Sequence, residues 1–322
     1  MSTPPAETRW GLTLPFPGVA LARSEPLVRR AEELGFHDLW SGDTSGPDGF
    51  TPLVLAAAWT DRARLGTGIV NVFTRGPAVL AQHAAALQDA SEGRFVLGLG
   101  SSSNVIVERW NGIPFERPLT RVRETVEILR AVLAGERGPG GFRLEQPPAA
   151  PVPIYVAALR ERMLELGGEV GDGVFVNFLP LSGLPTVIEH IRAGEERAGK
   201  PAGSVDVVCR FFCVPQSAEE GMATARWMFA AYATVPVYAA FFRWLGWDEQ
   251  LDPMVAAWEA RDRQRAVELA PEELIRDIFI FGDPGQQRAR LGQYAAGGIR
   301  TLVLTPIAGP EALEQTIEGL AP

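Results

Sequence analysis

The most informative alternation of apolar and polar segments lies between Leu65 and Gly100, which reads strand, helix, strand. Leu65-Gly66-Thr67-Gly68-Ile69-Val70 is a short run of β-branched and small residues. Thr74-Arg75-Gly76-Pro77 breaks it, and Ala78 to Ala90 is almost wholly Ala, Leu, Gln and Val, a composition that favours helix. Ser91-Glu92-Gly93-Arg94 stops the helix before a second apolar run, Phe95-Val96-Leu97-Gly98-Leu99-Gly100. Neither run alternates between apolar and polar. Such runs suit parallel strands covered on both faces, with the helix as their crossover. Gly68, Asn71, Gly98 and Gly100 then fall near the carboxyl ends of neighbouring strands, where parallel α/β folds build their sites.

The same rhythm runs along the chain. Trp10 to Phe16 predicts a first strand, and Ser24 caps a helix from Pro26 to Leu34, with Gly35 at its end. Phe36 to Trp40 is a second strand, followed by the polar loop Ser41 to Gly46 and a helix from Thr51 to about Asp61. After the central pair, Ser101 to Pro118 is a long connection and Leu119 to Leu133 an amphipathic helix. Gly135 to Pro151 reads as a surface excursion with a small hairpin around Phe142. Further strands are expected at Ile154–Ala157, Gly173–Asn177, Val205–Val214 and Thr301–Leu304. Helices are expected at Arg160–Gly167, Leu184–Ala198, Pro284–Ala296 and Glu311–Leu320. Glu219 to about Ala270 breaks the rhythm and is mainly helical, with aromatic clusters at Trp227, Phe229, Tyr232, Tyr238, Phe241, Phe242, Trp244 and Trp247. Eight strands alternating with helices predict a (β/α)8 TIM barrel, one domain over residues 1–322, with a helical insertion after strand seven at about 215–283.

Composition narrows the function classes. The 322 residues are 46% hydrophobic and 21% charged, ordinary for a globular protein. A formal net charge of -9 argues against nucleic-acid binding by the whole surface. No apolar signal segment opens the chain and no run is long enough to span a membrane, so the cytoplasm is the expected compartment. Cys209 and Cys213 read as buried thiols. Pro15-Phe16-Pro17-Gly18 stands where a dinucleotide fold would carry its glycine fingerprint, and neither a phosphate loop nor a His-Glu-x-x-His pair is present. His37, His83 and His190 read as structural or surface groups. No nucleophile triad or metal set emerges, a pattern that leaves hard chemistry to an organic cofactor. Three strand ends could hold one. These are Ser41-Gly42-Asp43, the small-residue run from Gly98 through Gly100 and Ser101, and Ala157-Ala158-Leu159-Arg160 at a helix N-terminus that favours an anion. Tight turns explain the glycines equally well, a solvated helix end explains Arg160, and a turn cap explains Asp43. Glu108 in the long loop is a second candidate acid, or a surface carboxylate.

These segments also carry a resemblance. The motifs are Thr74-Arg75-x-Pro77 with Ser91-x-Gly93-Arg94-Phe95-x-Leu97-Gly98-x-Gly100, then Gly112-x-Pro114-Phe115-Glu116-Arg117-Pro118 leading into Arg121-x-x-Glu124. Pro153 to Ala158, Gly171-Asp172-Gly173-Val174 and Gly297-Gly298-Ile299 complete the set. The chain resembles the bacterial luciferase-like monooxygenase superfamily, and within it the deazaflavin-dependent oxidoreductases, from Trp10 to Leu320. The resemblance implies a barrel with an insertion after strand seven. It also implies a non-prolyl cis peptide at Gly68–Ile69 that seats the cofactor ring. Asn71 would then bond the ring edge, with Ser41 and Asn177 also at the cofactor. The regions of Gly100–Ser101 and Ala157–Arg160 would meet the ribityl chain and phosphate. Two places depart from the family pattern. Leu159-Arg160-Glu161-Arg162 replaces a Gly-Pro-Lys-like set, and Ser41-Gly42-Asp43 replaces an Asp-His pair, so that the acid would be Asp43, the substrate or solvent, or Glu108.

By resemblance, the expected activity is hydride transfer between coenzyme F420 (8-hydroxy-5-deazaflavin) and a small organic substrate. The alternatives are an FMN-dependent monooxygenase, served by a partner reductase, and a catalytically silent cofactor-binding member. A homodimer is expected from the family, and neither nucleic acid nor membrane is an expected partner. Trp40, Trp110, Phe178 and the aromatic insertion suggest a pocket with apolar walls.

Overall fold

The computed structural model describes residues 8–322; the polar N-terminal residues 1–7 lie outside the description. Eight parallel strands close into a barrel. They are β1 (Arg9–Leu14), β2 (Asp38–Ser41), β3 (Arg64–Thr67) with its short continuation β4 (Val70–Asn71), β5 (Phe95–Gly100), β6 (Ile154–Ala157), β7 (Gly173–Asn177) and β8 (Asp206–Val214). A two-residue strand, β9 (Ile280–Phe281), pairs with the end of β8, and β10 (Thr301–Pro306) is the eighth stave. Closure comes from β10, which pairs with β8 through Thr301↔Val208 and with β1 through Arg9↔Thr301.

Helices α1 (Glu25–Glu33), α2 (Thr51–Trp59), α3 (Pro77–Ala90), α4 (Pro118–Leu133), α5 (Glu161–Val170) and α6 (Leu184–Arg197) follow the first strands in turn. Between β8 and β9 run α7 (Ala218–Ala233), α8 (Pro236–Trp244), α9 (Asp248–Glu259), α10 (Arg263–Glu268) and α11 (Glu272–Ile278). The chain closes with α12 (Pro284–Ala296) and α13 (Leu313–Gly319) around β10. Local sequence sets many of the starts. Proline occupies the first turn of α2, α3 and α4. Ser217 with Glu220 and Asp283 with Gln286 form capping boxes on α7 and α12.

Four local expectations are corrected. Ser24 precedes α1 but makes no cap; its hydroxyl donates to Ala20 O at 3.2 Å, because a 3-10 turn at Leu21–Arg23 leads directly into the helix. No hairpin forms at Phe142. A 3-10 turn at Pro139–Gly141 takes its place, with Gly140 and Gly141 at positive φ. The long connection after β5 contains a π-helical segment, Val105–Trp110. Finally, α5 continues past Gly167 and Gly168 to Val170. A side chain at Gly168 would lie 2.2 Å from Ile191 O, and one at Gly194 2.0 Å from Glu165 O, so these glycines mark the close approach of α5 and α6 rather than a helix end.

Inside the barrel the residues stack in layers. At the floor, the Arg64 guanidinium bonds Asp38, Asp206, the Tyr155 hydroxyl and the Thr301 hydroxyl, and Arg9 meets Asp38 from outside. Above it Trp40, Val96, Tyr155, Phe175, Val208 and Val303 form an apolar layer, with Ile69 packed against it. A larger core lies between the barrel and its helices. The C-terminal mouth, above the apolar layer, stays open.

Candidate active site

The mouth begins with a break in the sheet. Pairing of β3 with β5 runs through Gly66↔Val96 and resumes in β4 at Val70↔Leu99, one residue out of step. The added residue makes a bulge at Thr67–Ile69, where the Gly68–Ile69 peptide is cis. Several contacts hold it. Thr67 Oγ1 donates to Gly98 O at 2.7 Å and accepts from Gly98 N–H at 2.8 Å. A Cβ at Gly98 would lie 1.8 Å from Thr67 O, so only glycine lets the bulging strand pass. Gly100 leaves room in the same way for Ala157 and the Ile69 side chain, and a Cβ at Gly68 would strike the Phe175 ring at 2.5 Å.

The loop after β2 is tied to this bulge. Gly68 N–H donates to Ser41 O at 2.6 Å and Asp43 N–H to Ile69 O at 2.8 Å. The Asp43 carboxylate accepts from Gly49 N–H at 3.0 Å and Asn71 N–H at 3.2 Å, and pairs closely with Arg75. These three donors make Asp43 a fixed anion that holds loop and bulge together. It does not line the cavity, which corrects its expected place as an acid facing the reactants. Glu108 is corrected likewise: it sits exposed on the π-helical segment and accepts from Phe115 N–H at 3.3 Å. A histidine does lie near this loop. His83 on α3 packs 4.6 Å from the Phe50 ring, and burial, then the Arg75 charge, holds its pKa below the ordinary value.

Between bulge, barrel and α7 opens a cavity of about 650 Å³. Trp40 and Phe175 form its base, Ser41, Gly42 and Gly68 one side, Thr13 and Thr305 another, and Trp227, Met228 and Tyr232 of α7 its outer wall. Ser41 is 1% exposed, and among the described residues its hydroxyl has no partner; neither has Asn71 Nδ2, close by on β4. Thr305 Oγ1 donates to Thr13 Oγ1 at 2.9 Å. Arg210 enters from β8. Its Nε donates to Asn177 Oδ1 at 3.1 Å, and Asn177 Nδ2 donates to the Tyr238 hydroxyl oxygen at 2.7 Å. Burial raises the Tyr238 pKa above its ordinary value.

Of the residues expected at a cofactor, Ser41 and Gly68 line the cavity, while Ile69 and Asn71 belong to the bulge beside it. Asn177 reaches it only through Arg210. Gly98 and Gly100 are buried packing positions, and Ser101 is half-buried at the β5 end. Ala157, Ala158, Leu159 and Arg160 are not on the cavity wall; Arg160 is exposed at the start of α5. Trp110 is 56% exposed and Phe178 is packed behind the wall, 4.5 Å from the Phe212 ring, so neither joins the pocket. The reading from sequence missed Arg210, Thr13 and Thr305. Their signal was a period of two: Asp206, Val208, Arg210, Phe212 on one strand and Thr301, Val303, Thr305 on another. Among the described residues, no group of three or more His, Cys, Asp or Glu side chains is placed to hold a metal ion.

Comparison with known proteins supplies the family. The family model described as luciferase-like monooxygenase matches residues 6–301. A protein of Mycobacterium tuberculosis named as a coenzyme F420-dependent oxidoreductase is 29% identical over 87% of this chain and 89% of its own. The 5,10-methylenetetrahydromethanopterin reductase of Methanolobus tindarius is 34% identical over 59% of this chain, a match spanning 62% of that protein. Among solved structures, the coenzyme F420-dependent tetrahydromethanopterin reductase of Methanopyrus kandleri superposes with a TM-score of 0.81 at 25% identity, over 98% of both chains. A Pseudomonas putida Baeyer-Villiger monooxygenase component in complex with FMN shares the fold at a TM-score of 0.71 and 17% identity. The match over most of its length, on a barrel of the same kind, makes this chain a member of the luciferase-like monooxygenase family.

Proposed function

We propose that the chain is a coenzyme F420-dependent oxidoreductase that moves a hydride between the deazaflavin and a small organic substrate. The observation that carries this reading is the barrel mouth. An aromatic-based cavity is edged by a bare glycine backbone at Gly68, and beside it two buried polar atoms, Ser41 Oγ and Asn71 Nδ2, have no partner among the described residues. Buried polar groups are normally satisfied, and here a ligand with a flat body and a hydrogen-bonding edge would satisfy them. A deazaflavin ring has that shape, and when bound it supplies a two-electron hydride donor or acceptor. In this reading Gly68 and Ile69 seat the ring, and Ser41 with Asn71 bonds its edge. The free N–H groups at the start of α5, with Ala157, Ala158, Leu159 and Arg160 around them, take the phosphate. Asp43 acts through the loop it holds, and the proton comes from substrate or solvent at the mouth.

The relatives named as F420-dependent oxidoreductases support the deazaflavin over FMN, which offers a similar ring and phosphate. Fluorescence titration of the purified protein with each cofactor tests the choice. Deazaflavin is expected to bind at least about tenfold more tightly, a difference of ~1.4 kcal/mol. Micromolar or tighter FMN binding without measurable deazaflavin binding would replace this reading with an FMN-dependent monooxygenase.

A further inference from the structure

Among the described residues, Arg210 is the one charged side chain on the cavity wall. The rest of the cavity wall is neutral, Thr13, Thr305, Gln216 and Phe212 included. The guanidinium is fixed on two sides. Its Nε is engaged by Asn177 at 3.1 Å, and its carbon lies 4.9 Å from the centre of the Phe212 ring. The two terminal nitrogens are left as a fork, and among the described residues no carboxylate meets it. The same barrel treats its other interior arginine differently: Arg64 at the floor pairs with both Asp38 and Asp206. A half-buried cation without a counter-charge is costly, and a chain with a net charge of -9 has carboxylates in excess with which to neutralise it. The position is built to receive an anion from outside.

We propose that Arg210 is the specificity residue for an anionic substrate, and that the substrate is a small organic acid whose carboxylate is taken by the terminal guanidinium fork. A planar fork matches a carboxylate through two parallel hydrogen bonds. The apolar body of that acid is specified by Trp227, Met228 and Tyr232 on the facing wall. Asn177, bonded to Arg210 and Tyr238, is a positioning residue that sets the angle of the fork. The inference deepens the functional reading above and rests on it for the reaction carried out at the site. An anionic edge of the reduced cofactor presents the same chemistry to the fork, and the experiment separates the two sources.

Acetate, butyrate and benzoate, each beside its neutral amide, are titrated into the deazaflavin-loaded protein and followed through cofactor absorbance. The same series is titrated into cofactor-free protein and followed through tryptophan fluorescence, since Trp40 and Trp227 line the cavity. At least one carboxylate is expected to bind about tenfold or more tightly than its amide, as a charged hydrogen-bonded pair requires. Arg210→Gln is expected to reduce that preference to less than about twofold while leaving deazaflavin affinity within about threefold of the wild type. Arg210→Lys, which keeps the charge and loses the fork, is expected to retain part of the preference. It carries the comparison if Arg210→Gln does not fold. Equal binding of every carboxylate and its amide by the wild type would overturn the proposal. So would a preference that survives in Arg210→Gln, or a tenfold loss of deazaflavin affinity in that variant, which would assign the fork to the cofactor. A failure of the deazaflavin reading shows separately, as absent deazaflavin binding with the carboxylate preference intact in the cofactor-free protein.

Discussion

Both oxygens of Asp43 are engaged, Oδ1 by the Gly49 N–H and Oδ2 by the Asn71 N–H and Arg75. The residue joins three segments that are distant in sequence: the loop after β2, the bulge between β3 and β4, and the turn before α3. Asn in its place keeps the size but turns one acceptor into a donor aimed at other donors, and it removes the partner of a half-buried guanidinium. Asp43→Asn is therefore expected to lower unfolding stability by about 1–3 kcal/mol, the range for a buried group left unsatisfied. Cofactor binding is expected to weaken with it, because Ile69 and Asn71 lose their tether. Chemical denaturation and cofactor titration of the same sample check both effects. Unchanged stability and binding with a slower reaction would return Asp43 to the role of an acid.

At the level of elements, α6 shows how one buried carboxylate organises a connection. Glu195 is 1% exposed and accepts from Arg192, Gly203 N–H and Val205 N–H, which pins the turn between α6 and β8. Burial alone would raise its pKa, but these hydrogen bonds and the Arg192 charge outweigh it and hold the pKa below the ordinary 4.5. A carboxyl whose folded pKa is depressed contributes stability that is fully present above its unfolded value. That contribution is lost as pH falls through the folded one. The thermal midpoint of the wild type is therefore expected to hold from neutrality to about pH 4.5 as far as Glu195 is concerned, then to fall. Glu195→Gln is expected to melt lower at pH 7, with the gap between the two proteins narrowing below pH 4.5. A gap that is constant from pH 7 to about 3 would show that the charge of Glu195 contributes nothing.

Across the whole barrel, charge is separated by height. The floor holds Arg64 between Asp38 and Asp206, the middle is apolar, and the mouth holds Arg210 with no acid paired to it among the described residues. At the floor, Coulomb attraction, the hydrogen bonds that Arg64 donates to the Tyr155 and Thr301 oxygens, and those that both hydroxyls donate to Asp206 offset the burial of three charges. The same surroundings push the Tyr155 hydroxyl to a higher pKa, through burial first and then the Asp206 charge. Arg64→Met is expected to cost about 3–5 kcal/mol, because it leaves carboxylates buried with incomplete compensation. Ligand binding at the mouth is expected to persist in the fraction that stays folded, since the apolar layer lies between. Denaturant unfolding and cofactor titration read the two ends independently, and a stability loss below about 1 kcal/mol would contradict this account of the floor.

The alternation of strand and helix was legible in the residues because it depends on local properties. Phe95–Gly100, Ile154–Ala157, Gly173–Asn177 and Pro284–Ala296 stand within the bounds read from sequence, the three strands set by apolar runs and the helix by Asp283 and Pro284 at its start and Gly297 at its end. The family motifs also located the bulge at Gly68–Ile69. What sequence could not decide was which side chains meet. Asp43 reads in the sequence as a candidate acid or a turn cap, and only the fold brings Gly49, Asn71 and Arg75 to it. Gly98 and Gly100 read in the sequence as small residues at a strand end that could hold a cofactor, and only the fold shows the bulge of the adjacent strand filling the space beside them. Arg210 lies in Val205–Val214, a run whose charged positions are Asp206 and Arg210 alone. Its alternation with Asp206, Val208 and Phe212 acquires meaning only when eight strands close and one face of each turns inward. Local composition determined the elements; the closed barrel decided which charges are paired, because pairing depends on distances between strands that no single segment encodes.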